Sequence, residues 1–301
     1  MKNFDFVANL KKMLIISLCI MLVGVAVNVI FGVDLDISFK GGTQIRYSYT
    51  TAPDAAALQK LAQEKLGANA TVQQDNVNNT DVMSIQLPGE ITPEQKEAFV
   101  TQLNKDFADN KLVEFSSNTL SASMGSKFLL RCMLALVLAA VLLLVYVGFR
   151  FRKIGGIKAG VSALIALVHD LLIVYFTFVI FGIELNDNFV AVMLTILGYS
   201  LNDTIVIFDR IRTLRRRSDA PLEDVVNESL HHVMRRTIVT TATTCVAILA
   251  VLVVALVMNV DSIISFALPM LFGAISGSYS SLFLSGPIWV KWMRAGEKKK
   301  A

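Results

Sequence analysis

The sequence predicts an α-helical integral membrane protein with six transmembrane helices and one α+β domain outside the membrane. Hydrophobic residues make up 54% of the 301 residues and charged residues only 17%, a balance too apolar for a soluble domain. The apolar residues fall into six runs close to the length of about 20 residues that crosses a bilayer as a helix. One long polar segment separates the first run from the second.

The six runs give the predicted spans in chain order. The first run follows Lys11 and Lys12 and is longer than the apolar part of a secretion signal, so we expect an uncleaved anchor. An even number of spans places both termini on the same side of the membrane. The predicted spans cover residues 13–31, 128–149, 156–181, 189–208, 238–258 and 262–290.

The distribution of basic residues predicts which side that is. Most of the 28 Lys and Arg lie in segments that share a side with the termini, whereas the short loops at 184–188 and 259–261 have none. Because cytoplasmic loops collect positive charge, we expect residues 1–12, a basic loop at 209–237 and a basic tail at 291–301 to be cytoplasmic. Anchoring to the membrane lipids accounts for the net charge of +4, so nucleic-acid binding has no separate support.

Part of the basic loop has helical periodicity. Residues 221–236 follow Asp219, a candidate helix cap. This pattern predicts a basic amphipathic helix that lies at the membrane interface; a solvated connector is the alternative. The residues of its apolar stripe are Leu222, Val225, Val226, Ser229, Leu230 and Val233.

The polar segment at 32–127 is too long for a loop and predicts a folded extracytoplasmic domain. Its periodicity gives the element order β-α-β-β-α-β, with Pro53 and Thr92-Pro93 ahead of the two helices and a turn at Asn78-Asn79. This order is that of the ferredoxin-like fold, a sheet with two helices on one face. The predicted elements cover residues 43–49, 54–66, 70–77, 82–87, 92–108 and 112–117.

A carboxylate inside the fourth span, Asp203, is the first candidate functional residue. A charge at the centre of a span costs roughly 2.5 to 3.5 kcal/mol on insertion scales, so such residues usually carry ions or protons. Helical spacing places Asp203 on one polar face with Thr195, Tyr199 and Asn202, about 8 Å from the cytoplasmic end. The sequence therefore predicts a carboxylate that loads and releases protons; a permanent ion pair that fixes helix packing is the alternative.

Two further groups are candidates for the same pathway. Arg236, at the start of the fifth span, is the candidate counter-charge of Asp203, although basic residues there also serve as anchors. His169 and Asp170 form a titratable pair near the middle of the third span, suited to a proton relay or to a structural hydrogen bond.

Small residues repeat every four positions in the sixth span. This spacing lets helix backbones approach closely, so we expect Gly273 and Gly277, followed by Ser281 and Ser285, to pack against a neighbouring span or a partner subunit. The three cysteines lie in predicted spans and indicate neither a disulfide nor a metal site. No metal or other cofactor is expected.

Two motifs carry a resemblance to a known family. One is Phe39-Lys40-Gly41-Gly42, directly after the first span. The other runs from Gly198 to Arg212 and includes Tyr199-Ser200-Leu201-Asn202-Asp203-Thr204 and Phe208-Asp209-Arg210. With the α+β domain, these motifs closely resemble the SecF family of bacterial protein-export subunits, related to the resistance-nodulation-division transporters.

The resemblance implies a function and partners. Members of this family lie in the bacterial plasma membrane and work with a similar six-span subunit, SecD, and with the SecYEG channel. They use the proton gradient to help pull a translocating preprotein outward after the ATPase SecA has started it. The residues that match Asp203 and Arg236 belong to the proton pathway in that picture. The coupling ion is then the proton, although sodium would use similar oxygen chemistry.

Other functions share some of these features. A proton-coupled small-molecule exporter of the resistance-nodulation-division type would use the same carboxylate, but normally carries two six-span halves. An intramembrane aspartyl protease would need a Gly-x-Gly-Asp motif, whereas this chain has Ser200-Leu201-Asn202-Asp203, so no enzymatic activity is expected. A structural scaffold of the export channel is the third alternative.

Overall fold

The computed structural model describes residues 4–67, 69–77, 80–258 and 260–298. Within these residues six helices are long and apolar enough to span a membrane, and a four-stranded sheet lies between the first and second of them. The structure confirms the predicted fold class. The predicted turn at Asn78-Asn79 falls outside the described residues.

The helices and strands follow one another with short connections. The helices are α1 (Leu10–Phe31), α2 (Ile37–Lys40), α3 (Ala55–Lys65), α4 (Pro93–Asp106), α5 (Ala122–Arg150), α6 (Gly156–Ile180), α7 (Asp187–Arg215), α8 (Leu222–Val257), α9 (Asp261–Ser280) and α10 (Gly286–Lys298). The strands are β1 (Gly42–Ser48), β2 (Thr71–Val77), β3 (Thr80–Leu87) and β4 (Val113–Leu120). A π-helical turn, Ser281–Ser285, connects α9 to α10.

The domain between α1 and α5 has the predicted order of elements. Its strands pair antiparallel in the order β2-β3-β1-β4, the arrangement of the ferredoxin-like fold. Helices α3 and α4 bury Leu58, Phe99 and Leu103 in one core with Ile45 and Ile85 of the sheet. The helices begin where their capping residues require: the Asp54 carboxylate accepts from the Ala56 amide, and Thr92 and Gln95 form a capping box.

The glycine pair Gly41-Gly42 lies at the junction between this domain and the spans. Gly41 ends α2 with a φ of 76°. A Cβ atom on Gly125 of α5 would lie 2.7 Å from the Gly41 nitrogen and 2.8 Å from the Phe39 carbonyl oxygen, so the two backbones touch. The Phe39 ring also stacks on Phe128, with centroids 5.7 Å apart. The motif therefore has a visible structural role.

Two further connections join the domain to the bundle. Residue Ser121 alone separates β4 from α5. The segment after α1 also pairs with the loop between α6 and α7, because the Asp36 amide donates to the Leu185 carbonyl (3.0 Å) and the Leu185 amide donates to the Asp34 carbonyl (2.8 Å). The domain thus contacts the ends of the spans directly. We call this end of the bundle its domain side.

Glu184, in the same loop, should make the stability of this contact depend on pH. Burial, reinforced by the Asp36 carboxylate, raises the pKa of Glu184, while Lys40 and a hydrogen bond from Gln86 act in the opposite direction. The folded protein therefore holds this proton more tightly than the unfolded chain, and stability falls as pH rises from the usual glutamate range through the raised pKa. We expect Glu184→Gln to raise the melting temperature at neutral pH but not in acid.

Thermal unfolding of the purified protein at neutral pH and below the usual glutamate range would test this expectation. Glu90→Gln is the matched control, because Glu90 is an exposed glutamate of the α+β domain. An equal rise in melting temperature at both pH values would contradict the electrostatic explanation.

The prediction of an interfacial helix at 221–236 is wrong. Those residues form the first half of α8, which continues without interruption into the fifth span for 36 residues, about 54 Å at 1.5 Å per residue. The stripe that includes Val226, Leu230 and Val233 packs into the core of the protein and not into lipid. Helix α7 likewise continues to Arg215, so only residues 216–221 of the predicted loop connect the two helices.

The N-terminal segment covers that stripe. The Phe6 and Val7 amides both donate to the Asn227 side-chain oxygen of α8 (2.9 and 3.3 Å), and the Asn227 amide group donates to the Asp5 carboxylate (2.9 Å). The Phe6 ring is buried and meets His231 edge to face. Residues 4–10 are therefore an integral part of the packed bundle, on the side opposite the domain.

Candidate functional site

Asp170 lies at the centre of the helical bundle, where α9 packs against α6 and α7. Its side chain is completely buried. The Oδ2 atom accepts hydrogen bonds from Ser200 of α7 (2.6 Å) and Ser280 of α9 (2.7 Å), and the Oδ1 atom accepts one from Ser276 of α9 (2.6 Å). These lengths are those of well-formed hydrogen bonds between oxygen atoms. One carboxylate thus connects three spans.

His169 extends this cluster. Its Nδ1 atom lies 3.2 Å from the Asp170 Oδ1 atom and 3.3 Å from the Ser276 hydroxyl. Its Nε2 atom is buried and has no hydrogen-bond partner among the described residues. The ring packs against Tyr279, whose hydroxyl donates to the Met13 carbonyl of α1 (2.8 Å). The imidazole therefore connects the carboxylate to the first span.

Hydroxyl groups continue from this cluster along the interface of α7 and α9. The Ser281 hydroxyl donates to the Ser200 carbonyl (3.2 Å) and shares a hydrogen bond with Thr204 (2.9 Å). Ser285 in turn donates to the Ser281 carbonyl (2.8 Å). Ser281 and Ser285 are the first and last residues of the π-helical turn, and such turns occur frequently at functional sites.

Glycines in α9 permit the close approach on which the cluster depends. A Cβ atom at Gly273 would lie 2.7 Å from the Ile196 side chain and 2.8 Å from that of Val174. A Cβ atom at Gly277 would lie 3.1 Å from the Ser200 Cβ atom. Gly273 therefore faces α6 and α7, and Gly277 faces α7, within the same chain.

Asp203 occupies a different environment. Its side chain is partly exposed, and no hydrogen bond or ion pair within 4 Å joins it to another described residue. Arg236, which is exposed, is close enough to act on the carboxylate through space without a direct contact. Thr195 and Asn202 of the predicted polar face are also exposed, whereas the Tyr199 hydroxyl donates to Thr241 of α8 (3.3 Å). This face of α7 is thus on the surface of the chain, at the depth of the membrane.

The end of α7 opposite the domain holds the other motif residues. The Asp209 carboxylate accepts from Arg212 (2.5 Å) and Arg150 (3.4 Å). Arg210 lines a cleft of about 380 Å³ together with His232 and Arg236, and its Nε atom is buried without a partner among the described residues. The cleft begins one helical turn from Asp203, which gives that end of the span a polar opening.

Sequence reasoning identified His169 and Asp170, and Ser200 as a motif residue, but missed Ser276 and Ser280, which also contact Asp170. Ser276 and Ser280 lie four residues apart on α9. Ser276 directly precedes Gly277, and Ser280 follows it by three residues. The repeat at Gly273, Gly277, Ser281 and Ser285 is the neighbouring row of the same helix. A search for hydroxyl residues at i and i+4 in a span would have found them, but only the fold shows which acid they face.

Comparisons with known proteins agree on one family. A family model described as "Protein export membrane protein SecD/SecF, C-terminal" matches residues 99–295. The "Protein translocase subunit SecF" of Alicyclobacillus acidocaldarius is 32% identical over 99% of this chain and 95% of its own length, and that of Petrotoga mobilis is 32% identical over 99% of both.

A solved structure matches the fold as well. The crystal structure of SecDF, a translocon-associated membrane protein from Thermus thermophilus, superimposes with a TM-score of 0.79 at 26% identity. The match covers 97% of this chain and 39% of that chain. The fold, the intramembrane polar residues and these similarities define a multi-pass subunit of a protein translocase. The chain belongs to the SecF family.

Proposed function

We propose that this chain works with a SecD-like partner to use the proton gradient for a late step of protein export through the SecYEG channel, after SecA has started translocation. The observation that carries this proposal is Asp203, a partly exposed carboxylate at membrane depth without an ion pair among the described residues. A carboxylate there is costly and is suited to binding and releasing a proton. His169, Asp170, Asn202 and Arg236 complete the proposed pathway.

The proposal includes an orientation. The two ends of the described part of the chain and the basic connections lie on the side opposite the domain, so positive-inside anchoring favours cytoplasmic termini and an extracytoplasmic domain. The polar face of α7 around Asp203 is open at membrane depth in the single chain, which supports a partner span that covers it. In the Thermus SecDF chain, a further part of the polypeptide lies beyond the region matched here.

The gradient supplies enough free energy for a conformational change. One elementary charge that crosses about 100 mV releases roughly 2.3 kcal/mol, which shifts a two-state equilibrium by a factor of nearly 50. A secreted chain that is prevented from sliding backward would advance through repeated cycles of such a change.

Neutralising Asp203 tests the proposal. In membrane vesicles that contain normal amounts of the partner complex, we expect Asp203→Asn to remove the part of export that depends on the gradient and to leave the ATP-driven part. Asp219→Asn is the matched control, because Asp219 is exposed in the connection between α7 and α8. If export by Asp203→Asn depended on the proton gradient as wild-type export does, the proton-carrying role would be refuted. If wild-type export depended on a sodium gradient alone, the coupling ion would be sodium.

A further inference from the structure

A cleft of about 460 Å³ lies where the α+β domain meets the spans. Helix α5 forms one wall, with Lys127 and Arg131 on successive turns, and Asp187 at the start of α7 forms another. Ser38 of α2 and Phe128 of α5 also line it. The cleft therefore connects α5 to α7 at the junction between the domain and the bundle.

The charged side chains of this cleft have no direct partner among the described residues. Lys127, Arg131 and Asp187 are exposed, and no hydrogen bond or ion pair within 4 Å joins them to each other or to another described residue. Positive-inside anchoring does not explain the two cations, because the anchoring residues Arg150 and Arg152 lie at the other end of the span. Their position therefore indicates a negatively charged ligand.

The surface of α5 next to the cations is apolar and is not covered by the described part of the chain. Leu134 and Leu138 follow Arg131 by three and seven residues, so the three lie on one side of the helix, and the leucines are 58% and 60% exposed. Long basic side chains near the end of a span reach toward the headgroup layer. This surface thus suits a molecule that has a negatively charged head and an apolar tail.

We propose that the cleft binds a phospholipid whose headgroup carries a phosphate and a primary ammonium group, as in phosphatidylethanolamine. The phosphate pairs with Lys127 and Arg131, since both kinds of side chain bind phosphate oxygens, and the acyl chains lie along the apolar surface of α5. The ammonium group pairs with Asp187, on which the negative charge of Asp36 also acts. These acids disfavour a headgroup that has no cation of its own. The site goes beyond the proposed function and does not depend on it.

Native mass spectrometry of the full chain, co-purified with its partner subunit, tests the proposal. The probes are phosphatidylethanolamine and phosphatidylglycerol with the same acyl chains, added in equal amounts to the complex in detergent. Lys127→Gln and Arg131→Gln should each weaken the binding of one phosphatidylethanolamine molecule about fivefold, the factor typical of one basic side chain near a lipid surface. Asp187→Asn should lower the ratio of bound phosphatidylethanolamine to phosphatidylglycerol several-fold, because it removes both the acceptor of the ammonium group and a repulsive charge.

Lys105→Gln is the matched control, because Lys105 is an exposed lysine of α4 that does not line the cleft, and this variant should bind lipid like the wild type. Wild-type lipid binding in both Lys127→Gln and Arg131→Gln would overturn the proposal, and this is the result expected if the partner subunit fills the cleft. An unchanged lipid ratio in Asp187→Asn would reject the ammonium-bearing headgroup. The replaced side chains are exposed, so we expect all these variants to keep the melting temperature of the lipid-free wild type.

Discussion

Asp170→Leu should prevent most of the protein from accumulating as a folded bundle. The change removes the common acceptor of Ser200, Ser276 and Ser280. A buried polar group left without its partner costs about 1 to 3 kcal/mol, and whole domains are stable by only about 5 to 15 kcal/mol. Three hydroxyl groups that lose their acceptor would consume much of that margin. The amount of protein in the membrane and its melting temperature in detergent are the measurements.

Two other variants serve as controls for that result. Asp170→Asn keeps the shape of the side chain and one accepting oxygen, so we expect a smaller loss of stability than in Asp170→Leu. Asp219→Leu replaces an exposed acid in the α7–α8 connection and should accumulate like the wild type. A wild-type melting temperature for Asp170→Leu would show that the serine contacts contribute little to folding.

Gly273→Leu should separate α9 from its two neighbours. Even the first carbon of the new side chain would lie within 2.8 Å of both Ile196 and Val174, and both residues are buried. Overpacking of a tight core usually costs about 1 to 3 kcal/mol. Because Ser276 is on the next turn of the same helix, the displacement should also loosen its hydrogen bond to Asp170. We therefore expect a lower melting temperature together with reduced gradient-dependent export.

The control for this prediction is Gly198→Leu in the purified chain without partners, because a Cβ atom there meets no described atom within 4 Å. An unchanged melting temperature in Gly273→Leu would mean that α6 and α7 can move away from α9 at this crossing with little loss of stability. An equally large fall in melting temperature in Gly198→Leu would show that the added leucine side chain lowers stability without the contacts to Ile196 and Val174, because leucine is the better helix former and propensity alone would raise stability.

Much of the fold could be predicted from the sequence because its signals are local. Apolar runs give the six spans, and Asp54 and Thr92 mark the starts of α3 and α4 through contacts within three residues. The span bounds were less accurate. α7 and α8 extend beyond the predicted spans by two turns or more. Neither a glycine nor a proline interrupts α8 between Leu222 and Val257, and hydropathy does not reveal where a polar helix stops.

The arrangement of the site depends on contacts between distant residues, which local patterns do not contain. The acids Asp170 and Asp203 could be identified as costly charges, but their environments differ because α9 supplies two serines to the first and leaves the second at the surface. The hydrogen bond from the N-terminal segment to Asn227 joins residues more than 200 positions apart in the sequence. That contact explains why an amphipathic stripe, typical of a helix on a membrane surface, is instead covered by protein.

The single residue between β4 and α5 has a mechanical consequence. Ser121 offers only the backbone torsions of one residue, and the contact of Gly125 with Gly41 restricts the same joint from the other side. For a change in the tilt of α5, a helix of about 44 Å at 1.5 Å per residue, the joint therefore offers few degrees of freedom. We expect the sheet to move with α5, so that a small displacement of this helix within the bilayer becomes a larger displacement at the tip of the domain.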